Sequence, residues 1–277
     1  KAEKHDFTGG EKMPKILIND VTLRDGNHAI SHKMTIDQIS AYSRAADAAG
    51  VPIVEVGHGI GIGASSLQVG ESAVDDETML KTARGNLCHS KLGVHVTPGF
   101  ATINKDLKKA LDLGVDVVRV AAHCTEADVT QRHINYVRSR GKEVFGVLMM
   151  SHMTSKETLT EEGQKMESYG AEAVMIFDSA GALFPHEVSE KVSRLVSHLN
   201  IPVGFHAHNN LGLAIANSLA AAEAGASIID GSARGFGAGA GNAQLEVLVA
   251  VLEKMGYSTG IDLYKILDAS DIAESCL

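Results

Sequence analysis

From residue 15 onward, short runs of β-branched and other apolar residues alternate with longer stretches whose apolar positions recur at helical spacing, the βαβα pattern of a parallel sheet. Strands are expected at 16–23, 53–57, 92–97, 117–121, 144–149, 174–177, 203–206 and 228–232, which makes eight. Helices are expected to begin near Thr35, Asp75, Asn104, Thr125, Thr154, Pro185, Gly212 and Ala243. Several of these starts carry Ser, Thr, Asn or Asp at the cap, and Thr35 and Thr154 have Gln or Glu three residues later, as a capping box requires. A weak internal repeat marks the helix exits: Ala48-Ala-Gly-Val, Leu113-Gly-Val-Asp, Tyr169-Gly-Ala-Glu and Ala224-Gly-Ala-Ser each place a glycine where a left-handed residue ends the helix. The stretch between His58 and Asp75 is longer and glycine-rich and is expected to be a mobile loop. Eight such units with no break in composition predict an α/β fold of one (β/α)8 barrel over 15–260, with an open doubly wound sheet as the alternative.

Composition narrows the field. A chain of 277 residues with 44% hydrophobic content buries a large core and has the length of one α/β barrel or two small domains. The formal charge of -9, with no local basic patch, argues against a nucleic-acid or anionic-membrane surface. Cys88, Cys124 and Cys276 are scattered without metal-type spacing, which predicts buried thiols in a reduced compartment. No apolar run approaches the roughly 18 to 20 residues that span a bilayer, and no signal-peptide core is present, so a cytoplasmic protein is expected. Residues 1–14 are polar and aperiodic and are read as a flexible leader outside the fold.

A barrel collects its chemistry at the C-terminal ends of its strands. The residues that close the expected strands are Arg24, Asp25 and His28, then His58, His95, His123, His152, Asp178 with Ser179, His206 with His208, and Arg234. His206 and His208 are two apart on a strand and face the same way, so both imidazoles can close on one metal ion. Strands one and seven are both odd-numbered, and Asp25 can meet this pair across the barrel. The resulting two-nitrogen, one-carboxylate set leaves open positions for a chelating 2-keto acid and suits Mn, Mg, Co or Fe better than a closed zinc site. The alternative for Asp25 is a plain ion pair with Arg24. Arg24, beside that ligand, can stabilise an enolate oxygen. His28 can serve as general base, or it can merely hydrogen-bond Asp25. The late run Gly235-Phe-Gly-Ala-Gly-Ala-Gly-Asn242 either brings backbone N–H groups to an anion or carboxylate or packs tightly at the barrel mouth; a dinucleotide site is not expected there.

These motifs carry a resemblance. Asp20-Val-Thr-Leu-Arg-Asp-Gly, His206-Ala-His-Asn-Asn and the late Gly239-Ala-Gly-Asn242 together resemble the metal-dependent superfamily of aldolases, lyases and Claisen synthases that includes 3-hydroxy-3-methylglutaryl-CoA lyase and isopropylmalate synthase. Arg24-Asp-Gly-Asn-His-Ala, Val56-Gly-His-Gly and Phe177-Asp-Ser-Ala-Gly are most similar to its 4-hydroxy-2-oxovalerate aldolases, the resemblance covering nearly the whole chain after Lys15. It implies a class II aldolase that splits 4-hydroxy-2-oxopentanoate, a small 4-hydroxy-2-keto acid, into pyruvate and acetaldehyde in aromatic or steroid catabolism. It further implies Mn2+, with Mg2+ or Co2+ as substitutes, on Asp25, His206 and His208. Arg24 would then steady the enolate, His28 would take the 4-hydroxyl proton, and Ser179 would contact substrate, as would Arg24, Asp25 and His206. The partner it implies is an acylating acetaldehyde dehydrogenase. The chain departs from the family in two respects: the glycine loop lacks the cysteine of the thiol lyases, and 261–277 reads as the truncated start of the helical region that docks the dehydrogenase. A Claisen-type synthase or CoA-ester lyase on the same metal, and a non-catalytic scaffold barrel, are the competing expectations.

Overall fold

A computed structural model describes residues 14–276, so the expected leader falls almost wholly outside the described residues. Its eight parallel strands run β1 (Leu17–Asp20), β2 (Ile53–Glu55), β3 (Lys91–Val96), β4 (Val117–His123), β5 (Glu143–Met149), β6 (Ala173–Asp178), β7 (Val203–Ala207) and β8 (Ile228–Gly231). They close into a barrel in chain order, with β8 hydrogen-bonded in parallel to β1. The helices that follow the strands are α1 (Ile36–Ala49), α2 (Asp76–Arg84), α3 (Lys108–Asp112), α4 (Gln131–Ser139), α5 (Lys156–Ser168), α6 (Pro185–His198), α7 (Ala214–Glu223) and α8 (Leu245–Lys254). A ninth, α9 (Leu263–Cys276), lies over α1 and α8. Among the described residues no helix is long and apolar enough to cross a membrane.

The helix-exit glycines behave as their repeat predicts. Gly50, Gly114, Gly170 and Gly225 all have φ between 81° and 101°, and the residue after each turns back into the core or the next strand. Thr35 caps α1 with both halves of a capping box. Thr154 does not cap α5. Ser155 does, accepting the Thr158 N–H at 3.2 Å, because the helix starts one residue later than the Thr-Ser-Lys-Glu spacing suggests.

Three further expectations need correction. The strand expected at 16–23 stops at Asp20, whose carboxylate accepts the Thr22 N–H at 2.9 Å and also the Thr22 hydroxyl, folding the chain into a turn. Arg24 therefore precedes, and Asp25 opens, a short 3-10 helix, Asp25–Ile30, above the strand end rather than on it. The glycine-rich stretch before α2 is fastened at several points: His58 Nε2 donates to Gly70 O at 3.1 Å, Ala73 N–H to His32 O at 2.9 Å and Gly63 N–H to Asp76 at 2.7 Å. Of the thiols, Cys124 is buried but Cys88 is exposed.

Two apolar regions form: a large one between sheet and helices, and a smaller one inside the barrel built on Ile53, Val117, Phe145, Val147, Met175 and Ile228. Above this inner layer the barrel is filled by charge. Glu55, Arg119 and Asp230 point inward and are 0–1% exposed. The glycines at 93 and 204 leave the room: a Cβ on Gly204 would stand 2.8 Å from Met175, which packs against Arg119.

Candidate metal centre

The polar layer supports a cluster at the C-terminal mouth. Asp25, His206 and His208 are buried and bring one ligand atom each to within 4.8 Å of one another, the one such group among the described residues. His206 and His208 follow each other on one face where β7 ends, with ring centroids 4.8 Å apart; the 3-10 helix after β1 swings Asp25 over them.

The tautomers follow from the partners. His208 Nδ1 is 3.2 Å from the carbonyl of Gly241, and His206 Nδ1 is 2.9 Å from Asp230 Oδ2; both partners can only accept, so both Nδ1 atoms carry the proton. In the neutral ring each Nε2 is then the free lone pair, and that of His206 is buried with no partner. Burial, with His206 alongside, pushes His208 down to about 4. Burial works to raise the Asp25 carboxyl, but the Arg24 guanidinium, His208, His206 and the Asn242 hydrogen bond together outweigh it and hold the group well below the usual carboxylate range. Two imidazoles whose Nδ1 atoms are already engaged, leaving Nε2 to coordinate, and one ionised carboxylate are the donors a divalent cation takes. The residues fit the metal.

Asp25 does pair with Arg24, at 2.8 Å, and still belongs to the triad. Its other oxygen accepts Asn242 Nδ2 at 2.8 Å and the Ala238 N–H at 3.3 Å. The glycine loop thus cradles a carboxylate, and the carboxylate is the protein's own. Gly237 lies so close that a Cβ there would meet Asp25 Oδ2 at 2.5 Å. Gly237→Ala is expected to weaken Mn2+ binding by about 10- to 100-fold, the range for outer-shell support, with the circular dichroism unchanged. Titration of free Mn2+ by its EPR signal reads this directly, and unaltered affinity would show that Asp25 does not depend on the loop.

Arg24 is spent on three sides. Its Nε donates to Glu55 at 2.6 Å and its Nη1 to Asp25 and to Gly59 O at 3.1 Å. Only Nη2 has no partner, although it is buried, leaving one donor nitrogen unspent. His28 is not among the hydrogen-bond partners of Asp25, which are Arg24, Asn242 and the Ala238 N–H. Its half-buried ring lies edge-on to His32, with centroids 4.8 Å apart, and abuts Gly59. Burial lowers its pKa below the ordinary 6.5; Asp25 opposes this and Arg24 adds to it. His95, with Nδ1 unpartnered, is driven well below its ordinary pKa by burial and then by Arg24.

Other expected ring members have local duties. Ser179 Oγ accepts the Met150 N–H at 3.0 Å, Asp178 takes the Ala182 and Leu183 N–H groups, and His123 meets Thr125 at 2.9 Å. Arg234 turns outward to Asp271 and to Glu274 at 2.9 Å, tying the β8 exit to α9, and is not part of the site. Sequence reasoning passed over Glu55, Arg119 and Asp230. Each is a lone charge inside a β-branched strand, a signal in itself, because a strand with helices on one face and the barrel interior on the other has no place for an unpaired charge.

Comparison with known proteins locates this architecture. The HMGL-like family model matches residues 15–273. A 4-hydroxy-2-oxovalerate aldolase of Spirochaeta aurantia is 65% identical over 262 residues, 95% of this chain and 77% of that protein. One from Pectobacterium atrosepticum is 63% identical over 260 residues, covering 94% and 76%. Among solved structures, the HMG-CoA lyase of Bacillus subtilis superposes with a TM-score of 0.78 at 19% identity, over 96% of this chain and 95% of that one. The carboxyl transferase domain of Rhizobium etli pyruvate carboxylase gives 0.82 at 19%, over 96% and 47%. Both share the fold.

Proposed function

Because the chain belongs to the HMGL-like family, among its 4-hydroxy-2-oxovalerate aldolases, we propose that it cleaves 4-hydroxy-2-oxopentanoate to pyruvate and acetaldehyde with Asp25, His206 and His208 holding Mn2+. The observation that carries the reading is the convergence of unused, buried groups: His206 Nε2 and Arg24 Nη2 lack partners at the same mouth where the Asp25 carboxylate is kept ionised.

The bound cation supplies Lewis acidity toward a 2-keto oxygen and neutralises part of the substrate's charge. The remaining work falls to the chain. Arg24, aimed by Glu55, Asp25 and Gly59, offers Nη2 to the oxygen on which negative charge grows as the C3–C4 bond breaks. His28, neutral at pH 7, accepts the 4-hydroxyl proton, the 4-carbon leaves as the aldehyde, and the bonding pair is left in the pyruvate enolate. No lysine is needed to form a Schiff base, since the charge already has an acceptor. The half-buried Ser179 stands at the same mouth as a further substrate contact.

Charge fits as well. Three carboxylates (Asp25, Glu55, Asp230) against two guanidiniums (Arg24, Arg119) leave one net negative charge on these five groups. A divalent cation and a monoanionic keto acid bring one net positive charge, so the loaded site is neutral. Buried charge is tolerated when it is compensated in this way.

The test is pyruvate release from 4-hydroxy-2-oxopentanoate, followed with lactate dehydrogenase, on chelator-treated protein before and after Mn2+ is restored. Release only after repletion is expected. Thiol release from acetyl-CoA with a 2-keto acid, in place of pyruvate release, would replace this reading with acyl transfer.

A further inference from the structure

Arg119 heads the fully buried side chains by size, standing in the middle of β4 with its guanidinium inside the barrel. It touches none of the three candidate ligands. Its Nε and Nη2 meet the two oxygens of Glu55, the second at 2.7 Å; its Nη1 meets Asp230 Oδ2 at 2.6 Å, and its Cζ lies 5.1 Å from the Phe177 ring centre. Each carboxylate serves a second group. Glu55 Oε1 accepts Arg24 Nε at 2.6 Å, and Asp230 Oδ2 accepts His206 Nδ1 at 2.9 Å. Arg24 continues to Asp25 Oδ1 at 2.8 Å. A path of hydrogen-bonded charges therefore leaves the metal site at Asp25, crosses the barrel through Arg24, Glu55, Arg119 and Asp230, and returns to the site at His206.

We propose that Arg119 is a positioning residue of this site, a rigid spacer that fixes Asp230 behind His206 on one side and Glu55 behind Arg24 on the other. Stability alone does not call for it, since a buried ionic network is generally no more stable than an apolar layer of the same volume, and the barrel has such a layer directly below. The planar fork matters. A guanidinium can pair with one carboxylate along one edge and reach a second with its remaining nitrogen, whereas an ammonium is a point charge on a flexible stem. Held by Arg119, Asp230 has its Oδ2 fixed against His206 Nδ1, so the imidazole keeps its proton there and its Nε2 faces the ligand cluster. By the same bond set, Arg24 keeps Nη2 free.

Two measurements test this. In wild-type apo protein carrying 15N-histidine, His206, assigned by its loss in His206→Gln, is expected as the Nδ1–H tautomer; an Nε2–H tautomer overturns the proposal without any Arg119 variant having to fold. In Arg119→Lys, folded by circular dichroism, the Mn2+ dissociation constant read by EPR is expected to rise about 10- to 100-fold, and adding Asp230→Asn should weaken binding no further than Asp230→Asn alone. Affinity within about twofold of wild type in folded Arg119→Lys overturns it. The substrate-side half of the inference rests on the aldolase reading: at saturating Mn2+, Arg119→Lys should still lower kcat, because Arg24 has lost its aim. A wild type that binds Mn2+ as expected yet releases no pyruvate would fault that reading and leave the metal-side measurements decisive.

Discussion

In His206→Ala, pyruvate release is expected to fall by about 10³-fold or more, because metal-supplied charge stabilisation is worth several kcal/mol and each ~1.4 kcal/mol is tenfold in rate. His206 provides one of only three protein donors in the cluster. Its loss leaves Asp25 and His208, and it also frees one bond of Asp230, which stays paired to Arg119. The fold should survive, since the imidazole stacks on Phe177 at 4.4 Å and its removal leaves a small cavity in a layer held by ion pairs. The expected signature is therefore a protein with native circular dichroism that no longer removes free Mn2+ from solution at micromolar levels. A variant that keeps activity within about tenfold of wild type at limiting Mn2+ would show that the triad is not the catalytic metal site.

His28→Ala separates proton transfer from metal binding. Loss of a positioned general base costs about 10²- to 10⁴-fold, and the fall is expected in kcat with Mn2+ affinity unchanged, since His28 bonds none of the three donors. Burial places the His28 pKa below 6.5, so the imidazole is neutral and able to accept a proton at pH 7. As pH falls through that pKa the base becomes protonated, and kcat/KM of the wild type should decline on this acidic limb while remaining level above it. The limb should be absent from the variant. A limb that persists in His28→Ala would assign the titration to another group and remove His28 from the proton-transfer role.

Much of this was open to reading along the chain. The glycines at 50, 114, 170 and 225 marked four of the eight helix exits because a left-handed residue after a helix is a local requirement that distant packing does not change. His206 and His208 were legible because period two on a strand is equally local. Long-range matters were not. The early end of β1 is the exception, a local Asx-type turn from Asp20 to Thr22 that was masked because the apolar run continues through Val21 and Leu23, which are buried all the same. The anchoring of the 58–75 loop depends on His32 and Asp76 from other segments. Glu55, Arg119 and Asp230 look isolated in sequence and pair only when β2, β4 and β8 share one interior. Arg234, by contrast, has the right position at a strand end, but it takes φ 52° and points its side chain to α9.

The path of charge across the upper barrel has a consequence for how the chain becomes functional. Its members sit at positions 24, 25, 55, 119, 206 and 230, so the loop after β1, strands β2 and β4 and the last two strands must all be in place before it closes. The pairing of β8 with β1 joins residues more than two hundred positions apart and is the contact with the largest loop-closure entropy in the sheet. A barrel with seven strands assembled would hold Arg119 against Glu55 but have no Asp230 to orient His206. Metal affinity would therefore arrive with the final seam, and the ion would act during folding as a latch that distinguishes a finished barrel from an almost finished one.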